Sequence, residues 1–204
     1  VEAVCRDSDY VINCVGLMHI RGTKKFDLIH HLAVKKLGEI CWLLGVEKLL
    51  HISGLGISEN SDAEYARTKW KGEKALLKEF PSAIILRPSV LVGPEDQFLN
   101  RFAQMAKISP MIPLIGGGKT KMQPVFVNDV ARAVIKALEI DESKGKIYEL
   151  GGPKVYSFKE LMEYMLKQIQ RDLWLVSIPR WLMLWDLIFC NGSRAHLSPL
   201  IKCV

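Results

Sequence analysis

Three apolar runs, YVINCVG at residues 10–16, KLLHIS at 48–53 and AIILRPS at 83–89, are separated by stretches of helical periodicity, and that alternation restricts the chain to few folds. The runs are apolar and β-branched along their length, as strands buried on both faces are. Between the first two, Leu28, Ile29, Leu32, Leu37, Ile40, Cys41 and Leu44 recur at helical spacing, which predicts a helix over 26–44 closed by Gly45. Between the second and third, a Gly-rich polar loop reaches residue 62, and a helix then runs to residue 80, where Pro81 stops it. Strands alternating with helices in this way predict right-handed βαβ units and a doubly wound parallel α/β sheet.

Beyond residue 93 the pattern loosens. A helix is expected over 97–107, and SPMIPLIGGGKT at 109–120 reads as a Pro/Gly-rich loop suited to the margin of a binding site. MQPVFV at 122–127 reads as a strand, with Asn128 as N-cap of a helix over 129–139. KIYEL at 146–150 is a short strand, and Ser157 with Glu160 has the spacing of a capping box opening a helix over 158–171. The expected division is 1–93 and 122–150 for the sheet, 94–121 for an insertion, and 151–204 for a helical C-terminal substrate or partner region. Within that last region Trp181, Leu184, Trp185, Ile188 and Phe189 recur at helical spacing. Such a stripe serves either core packing or docking on a partner subunit or membrane interface.

The chain has 204 residues, 49% hydrophobic and 25% charged, enough apolar surface for an ordinary globular core, and this excludes disorder. Its net charge of +6 is spread along the sequence, and the denser clusters at 21–25 and 69–74 are short and mixed, so a solvated surface is expected and no nucleic-acid partner. Five cysteines, far apart and without a C-x-x-C pair, indicate reduced thiols in an intracellular compartment, with neither a disulfide framework nor a zinc site. No run reaches the ~20 apolar residues of a membrane-spanning helix. The abrupt start on VEAVCRDSD, just before a strand and without Met, reads as the cut end of a longer chain.

Tyr65 and Lys69 stand four residues apart in YARTK and so share one helical face. An ammonium beside a phenol of ordinary pKa about 10 favours the phenolate and makes it an acid/base group near neutral pH. The same Lys can hydrogen-bond a ribose. Alone, the pattern also fits a surface Tyr beside a solvated Lys; here it follows a strand ending in Ser53 and precedes one ending in Pro88 and Ser89. Asn13 and Gly16 end the first strand, at a place where the backbone approaches a ligand or merely turns. His19, His30, His31, His51 and His196 lack metal-ligand spacing and read as packing or surface residues, and no metal is expected.

This order of strand ends and Tyr-x-x-x-Lys helix, with LRPSVLVGPED and PVFVNDVARAV, resembles the extended short-chain dehydrogenase/reductase family, the NAD-dependent epimerases and dehydratases, over residues 9–156. Within it, residues 65–158 are most similar to the branch formed by the dehydrogenase-like accessory subunits of respiratory complex I and their bacterial homologues. The resemblance implies an N-terminally truncated Rossmann fold. It implies bound NADP or NAD, often more for structure than for turnover, with Tyr65, Lys69 and Ser53 as catalytic candidates. Asn13, Gly16, Ser53, Tyr65, Lys69, Pro88, Ser89 and Val90 are the cofactor candidates. It implies respiratory complex I subunits at a membrane surface as partners, and a bacterial cytoplasm at the inner-membrane face, or a mitochondrial matrix, as the location.

Two departures qualify these expectations. Gly54 stands where active members carry a hydroxyl that polarises the substrate carbonyl. The glycine-rich pyrophosphate turn has no counterpart in these 204 residues: Gly116, Gly117 and Gly118 precede a strand, not a helix. Two functions compete: a nucleotide-binding accessory or assembly protein with little turnover, and an active NAD(P)-dependent oxidoreductase or sugar-nucleotide epimerase/dehydratase using Tyr65 and Lys69.

Overall fold

The computed structural model describes residues 1–17 and 26–179. The Trp-rich stripe expected at 181–189, and His19 and His196, lie outside the described residues. In chain order the elements are α1 (Glu2–Cys5), β1 (Tyr10–Asn13), a π-helical turn (Leu28–Leu32) running into α2 (Ala33–Leu43), β2 (Lys48–Ile52), α3 (Glu64–Glu79), β3 (Ile84–Pro88), β4 (Leu91–Val92) and α4 (Leu99–Ile108). There follow β5 (Met111–Ile115), β6 (Lys121–Met122), β7 (Val125–Phe126), α5 (Val127–Glu139), β8 (Ile147–Leu150), β9 (Tyr156–Ser157), α6 (Phe158–Gln168) and β10 (Trp174–Ile178).

Contacts gather the described residues into two units, one comprising Val1–Ser89 and Asn128–Leu150, the other Val90–Val127 and residues 151–179. In the first, four strands form a wholly parallel sheet in the order β1-β2-β3-β8. Successive side chains of a strand point to opposite faces. Leu49 accordingly packs with Val34, Cys41, Leu76 and Phe80 of the α2 and α3 side, whereas Leu50 packs with Ile84, Leu86 and Ala137 of α5. Both faces are covered, as the doubly wound reading requires, and the predicted strands and helices around residues 10–89 are present.

Helices α2 and α3 approach closely because glycine stands at the crossing. A Cβ on residue 72 would run into the carbonyl of His30, and one on residue 38 would lie 3.0 Å from Leu76 Cδ1. His30 itself lies in the π-helical turn, a wide turn that re-aims side chains and recurs at functional sites.

Beyond residue 89 the structure departs from expectation in four places. Residues expected as a loop at 109–120 contain β5, which pairs in parallel with β10. Ile112 and Leu114 alternate into the core there, a period-two signal that Pro110 and Pro113 obscure; Pro113 is tolerated because β5 has only the one partner strand among the described residues. The expected strand at 122–127 is broken into β6 and β7 by Pro124. Helix α5 begins at Val127, so Asn128 lies in its first turn and is not its cap. The capping box is present: Glu160 N donates to Ser157 Oγ at 3.1 Å and Ser157 N to Glu160 Oε2 at 2.6 Å. Helix α6 ends at Gln168, short of the predicted residue 171, before Gln170 turns to positive φ. Its core is aromatic, with Phe102 and Phe158 edge-to-face at 5.3 Å.

Candidate functional site

The end of β2 and the first turns of α3 carry the Tyr and Lys singled out by their spacing. Lys69 is 5% exposed, and its Nζ donates to the Ile52 carbonyl at 3.2 Å. Burial is the main cause that lowers its pKa from 10.5 to about 8, with Glu73 one turn on acting in the opposite sense. The ammonium lies 5.9 Å from the centroid of the Tyr65 ring. A Cβ on residue 16 would sit 3.5 Å from Lys69 Nζ. The absence of a side chain at Gly16 therefore leaves space directly beside this charged donor.

At the end of β2, Ser53 N donates to the Leu86 carbonyl at 2.7 Å and Ser53 itself is buried. Among the described residues its hydroxyl has no hydrogen-bond partner. A buried hydroxyl without a partner is costly. Next to it, a Cβ on residue 54 would lie 3.6 Å from the Tyr65 hydroxyl. That is the position from which a Ser or Thr hydroxyl would reach the phenol, and glycine leaves it empty of any functional group.

Asn13 and His51 are register partners in β1 and β2. The Asn13 amide is fully committed: Oδ1 accepts from Val15 N at 3.0 Å, which orients Nδ2 toward His51 Nδ1, also at 3.0 Å. His51 Nδ1 is therefore an acceptor and the ring is neutral. On the helix side, His30 Nε2 accepts from Leu17 N at 3.1 Å and Nδ1 lies 3.1 Å from Thr68 Oγ1. Burial, then the Lys69 charge, lowers the pKa of His30 to about 4 and that of His51 to about 3. The His30 ring stands edge-on to Tyr65 with centroids 5.2 Å apart.

Pro88 closes β3, and its carbonyl accepts from Leu55 N at 2.9 Å, tying the loop after β2 to the end of β3. Ser89 N donates to the Leu150 carbonyl at 2.9 Å, and the carbonyl of Val90, in the second unit, accepts from Val125 N at 2.9 Å. Asn13, Gly16, Ser53, Gly54, Tyr65 and Lys69 thus form one connected cluster at the C-terminal ends of β1 and β2. Ends of this kind are where open parallel sheets bind ligands.

From the sequence, His30 and His51 read as packing or surface residues, and in the structure both are buried. What that reading did not extract is their bonding to residues 13–17. For His51 a signal existed: Leu49, His51 and Ser53 alternate onto one strand face, so the histidine had to point toward the same helices as the candidate hydroxyl. For His30 none did, because a π-helical turn shifts the helical phase. Thr68 was likewise overlooked.

A sequence profile described as the NAD dependent epimerase/dehydratase family matches residues 1–151. Among curated proteins, NADH dehydrogenase (ubiquinone) 1 alpha subcomplex subunit 9, mitochondrial, of Arabidopsis thaliana is 39% identical over 181 residues, covering 88% of this chain and 45% of that protein. Its namesake in Rattus norvegicus is 32% identical over 200 residues, covering 98% of this chain and 52% of that protein. The chain spans about half the length of these curated relatives. The structure of the dTDP-glucose 4,6-dehydratase DesIV of Streptomyces venezuelae, with NAD and TYD bound, is similar with a TM-score of 0.78 at 16% identity, over 96% of this chain and 71% of that one. A dTDP-4-dehydrorhamnose reductase of Bacillus anthracis, in complex with NADP, gives a TM-score of 0.71 at 17% identity, over 84% and 66% of the two chains. These two likenesses establish the Rossmann-type fold.

Proposed function

The chain belongs to the NAD-dependent epimerase/dehydratase family, and from that premise we propose that it forms part of a nicotinamide dinucleotide-binding accessory subunit of a respiratory complex I, in which the nucleotide is held for structure with little turnover. The observation that carries this reading is the pairing of a preserved Lys69 with a glycine at residue 54. Lys69 presents a buried ammonium beside the side-chain-free Gly16. At residue 54, glycine supplies no hydroxyl that could act beside the Tyr65 phenol in polarising a carbonyl.

In this reading Lys69 holds the nicotinamide ribose, Ser53 offers its unpartnered hydroxyl to the same ligand, and Tyr65 stands at the proton-transfer position. Pro88, Ser89 and Val90 line the nicotinamide side, and Asn13 shapes the turn that brings Gly16 past Lys69. Bound NAD(P) supplies hydride chemistry; the residues above supply its binding and orientation. The mitochondrial relatives support a mitochondrial location and complex I subunits as partners, in preference to a bacterial cytoplasm. The second reading, an active oxidoreductase or sugar-nucleotide epimerase/dehydratase, is favoured by one observation: Tyr65 and Lys69 are both present on one helical face.

A fluorescence titration of the full-length protein with NADPH and NADH tests the assignment of roles. Lys69→Ala weakens binding, and Tyr65→Phe leaves it nearly unchanged, because the ammonium meets the ribose whereas the phenol serves proton transfer. Equal losses in the two variants would show the roles to be wrongly assigned.

A further inference from the structure

His30 makes three contacts that together fix its protonation state and give it a task. The Leu17 amide can only donate, so Nε2, its acceptor at 3.1 Å, carries no proton. The Thr68 hydroxyl has one proton, which goes to the Glu64 carbonyl at 2.9 Å, so its oxygen receives a hydrogen bond from Nδ1 of His30 at 3.1 Å. The ring is therefore the neutral Nδ1–H tautomer, polarised in one direction from Leu17 through Thr68 into the backbone of α3. The rings of Phe26, tilted at 37°, and Tyr65, perpendicular to the imidazole, pack against it at centroid distances of 5.4 and 5.2 Å.

Leu17 follows β1 by four residues, and Gly16, immediately before it, is the residue that leaves space beside Lys69 Nζ. Asn13 anchors the same stretch through Val15 N. Residues 14–17 are thus tied to the sheet through Val15, Asn13 and His51, and to α3 through Leu17, His30 and Thr68. We infer that His30 is a positioning residue: its neutral imidazole clamps the loop at residues 14–17 against the helix bearing Tyr65 and Lys69, and protonation of the ring releases that loop from the nucleotide site. The inference rests on the nucleotide reading above for what the loop serves, and on the hydrogen bonds alone for the clamp.

Among the described residues, the charged and titratable groups around the ring oppose its protonation or are neutral to it. From α3 it faces the Lys69 ammonium and the Tyr65 phenol; from β2 it faces His51, itself committed as an acceptor to Asn13. On its own helix the Asp27–His31 pair is mutually engaged at 3.1 Å. Protonation of His30 places an N–H on Nε2, where it faces the Leu17 N–H, also a donor, so that hydrogen bond must break.

The test compares His30→Gln, whose side-chain carbonyl can take the place of Nε2, with His30→Phe, which keeps a ring and has no acceptor, in the full-length protein. The readouts are the exchange protection of the Leu17 amide without nucleotide and the affinity for NADPH. His30→Phe is expected to lower Leu17 protection and NADPH affinity about tenfold each, with His30→Gln within about threefold of wild type, the worth of one hydrogen bond. In the wild type, Leu17 protection corrected for intrinsic exchange should fall between pH 6 and 4 ahead of that of Val15, which makes the clamp testable even if His30→Phe does not fold. Equal Leu17 protection in wild type and both variants, equal loss in both variants, or no selective loss in acid would overturn the clamp. If the wild type binds no nucleotide while Leu17 protection follows this pattern, the clamp stands and the nucleotide reading fails.

Discussion

Residue 54 faces the Tyr65 hydroxyl: a side chain begun there would start 3.6 Å from the phenolic oxygen, and the residue is glycine. Its φ lies outside the left-handed region, so the position does not demand glycine for conformational reasons. A serine there would stand beside the phenol with a free donor.

Gly54→Ser in the full-length protein should therefore raise NAD(P)-dependent carbonyl reduction from near background by about 10² to 10³, the worth of one donor at a developing oxyanion. Steady-state turnover with a panel of simple ketones and aldehydes measures it. A serine variant as inert as the parent would mean that more than this hydroxyl is missing.

Lys69 costs stability in the ligand-free protein. Its pKa is about 8 in the fold against 10.5 in a free chain, a difference of roughly 3 kcal/mol in favour of the uncharged form, from which the lost bond to Ile52 takes back about 1. Lys69→Met should thus stabilise the protein by about 1 to 2 kcal/mol in urea unfolding while abolishing nucleotide binding. The sign with pH follows. The unfolded chain keeps its proton longer, so the wild type gains stability relative to the variant as pH rises from about 8 to about 10.5. A variant less stable than wild type at pH 7 would contradict the electrostatic account of this residue.

The buried histidines act at the other end of the scale. Free imidazole titrates near 6.5, whereas His30 and His51 stay neutral down to about 4 and about 3. The unfolded state then binds the extra protons, and stability falls as pH drops from about 6.5 toward these values. His51→Asn keeps an acceptor for Asn13 without the titration, and its melting temperature should fall less than the wild-type value between pH 7 and pH 4.5. Parallel curves would show that His51 is not buried as described.

Gly72→Ala should destabilise the protein by about 2 to 4 kcal/mol, because the added methyl group meets the backbone carbonyl of His30, which cannot swing aside as a side-chain end would. Thermal unfolding of the variant beside the wild type measures the loss, and an unchanged melting temperature would contradict the close approach at this crossing.

Much of this arrangement was legible in the chain, and the exceptions are instructive. The parallel strands and the helices between them announce themselves because burial on both faces leaves continuous apolar runs, and Tyr65 with Lys69 follows from helical spacing alone. Strand β5 was hidden because Pro113 usually argues against a strand, and only its single-partner position permits it. His30 was hidden because helix α2 begins in a π-helical turn, whose register no 3.6-residue pattern encodes. The polar wiring of Asn13, His51 and Leu17 depends on which atoms meet across strands and helices, information that residue types carry only after the fold is built.

The most direct test of the central claim is a melting curve of the full-length protein with and without NADP(H) and NAD(H), run beside a turnover screen on simple carbonyls and sugar nucleotides. A ligand bound only by the native state raises its stability by mass action, about 2.7 kcal/mol at a hundredfold excess over Kd. The account predicts a clear upward shift with one of the nucleotides and turnover at or near background. Robust turnover that vanishes in Tyr65→Phe would contradict the accessory reading, and no shift with either nucleotide would remove the nucleotide from the account.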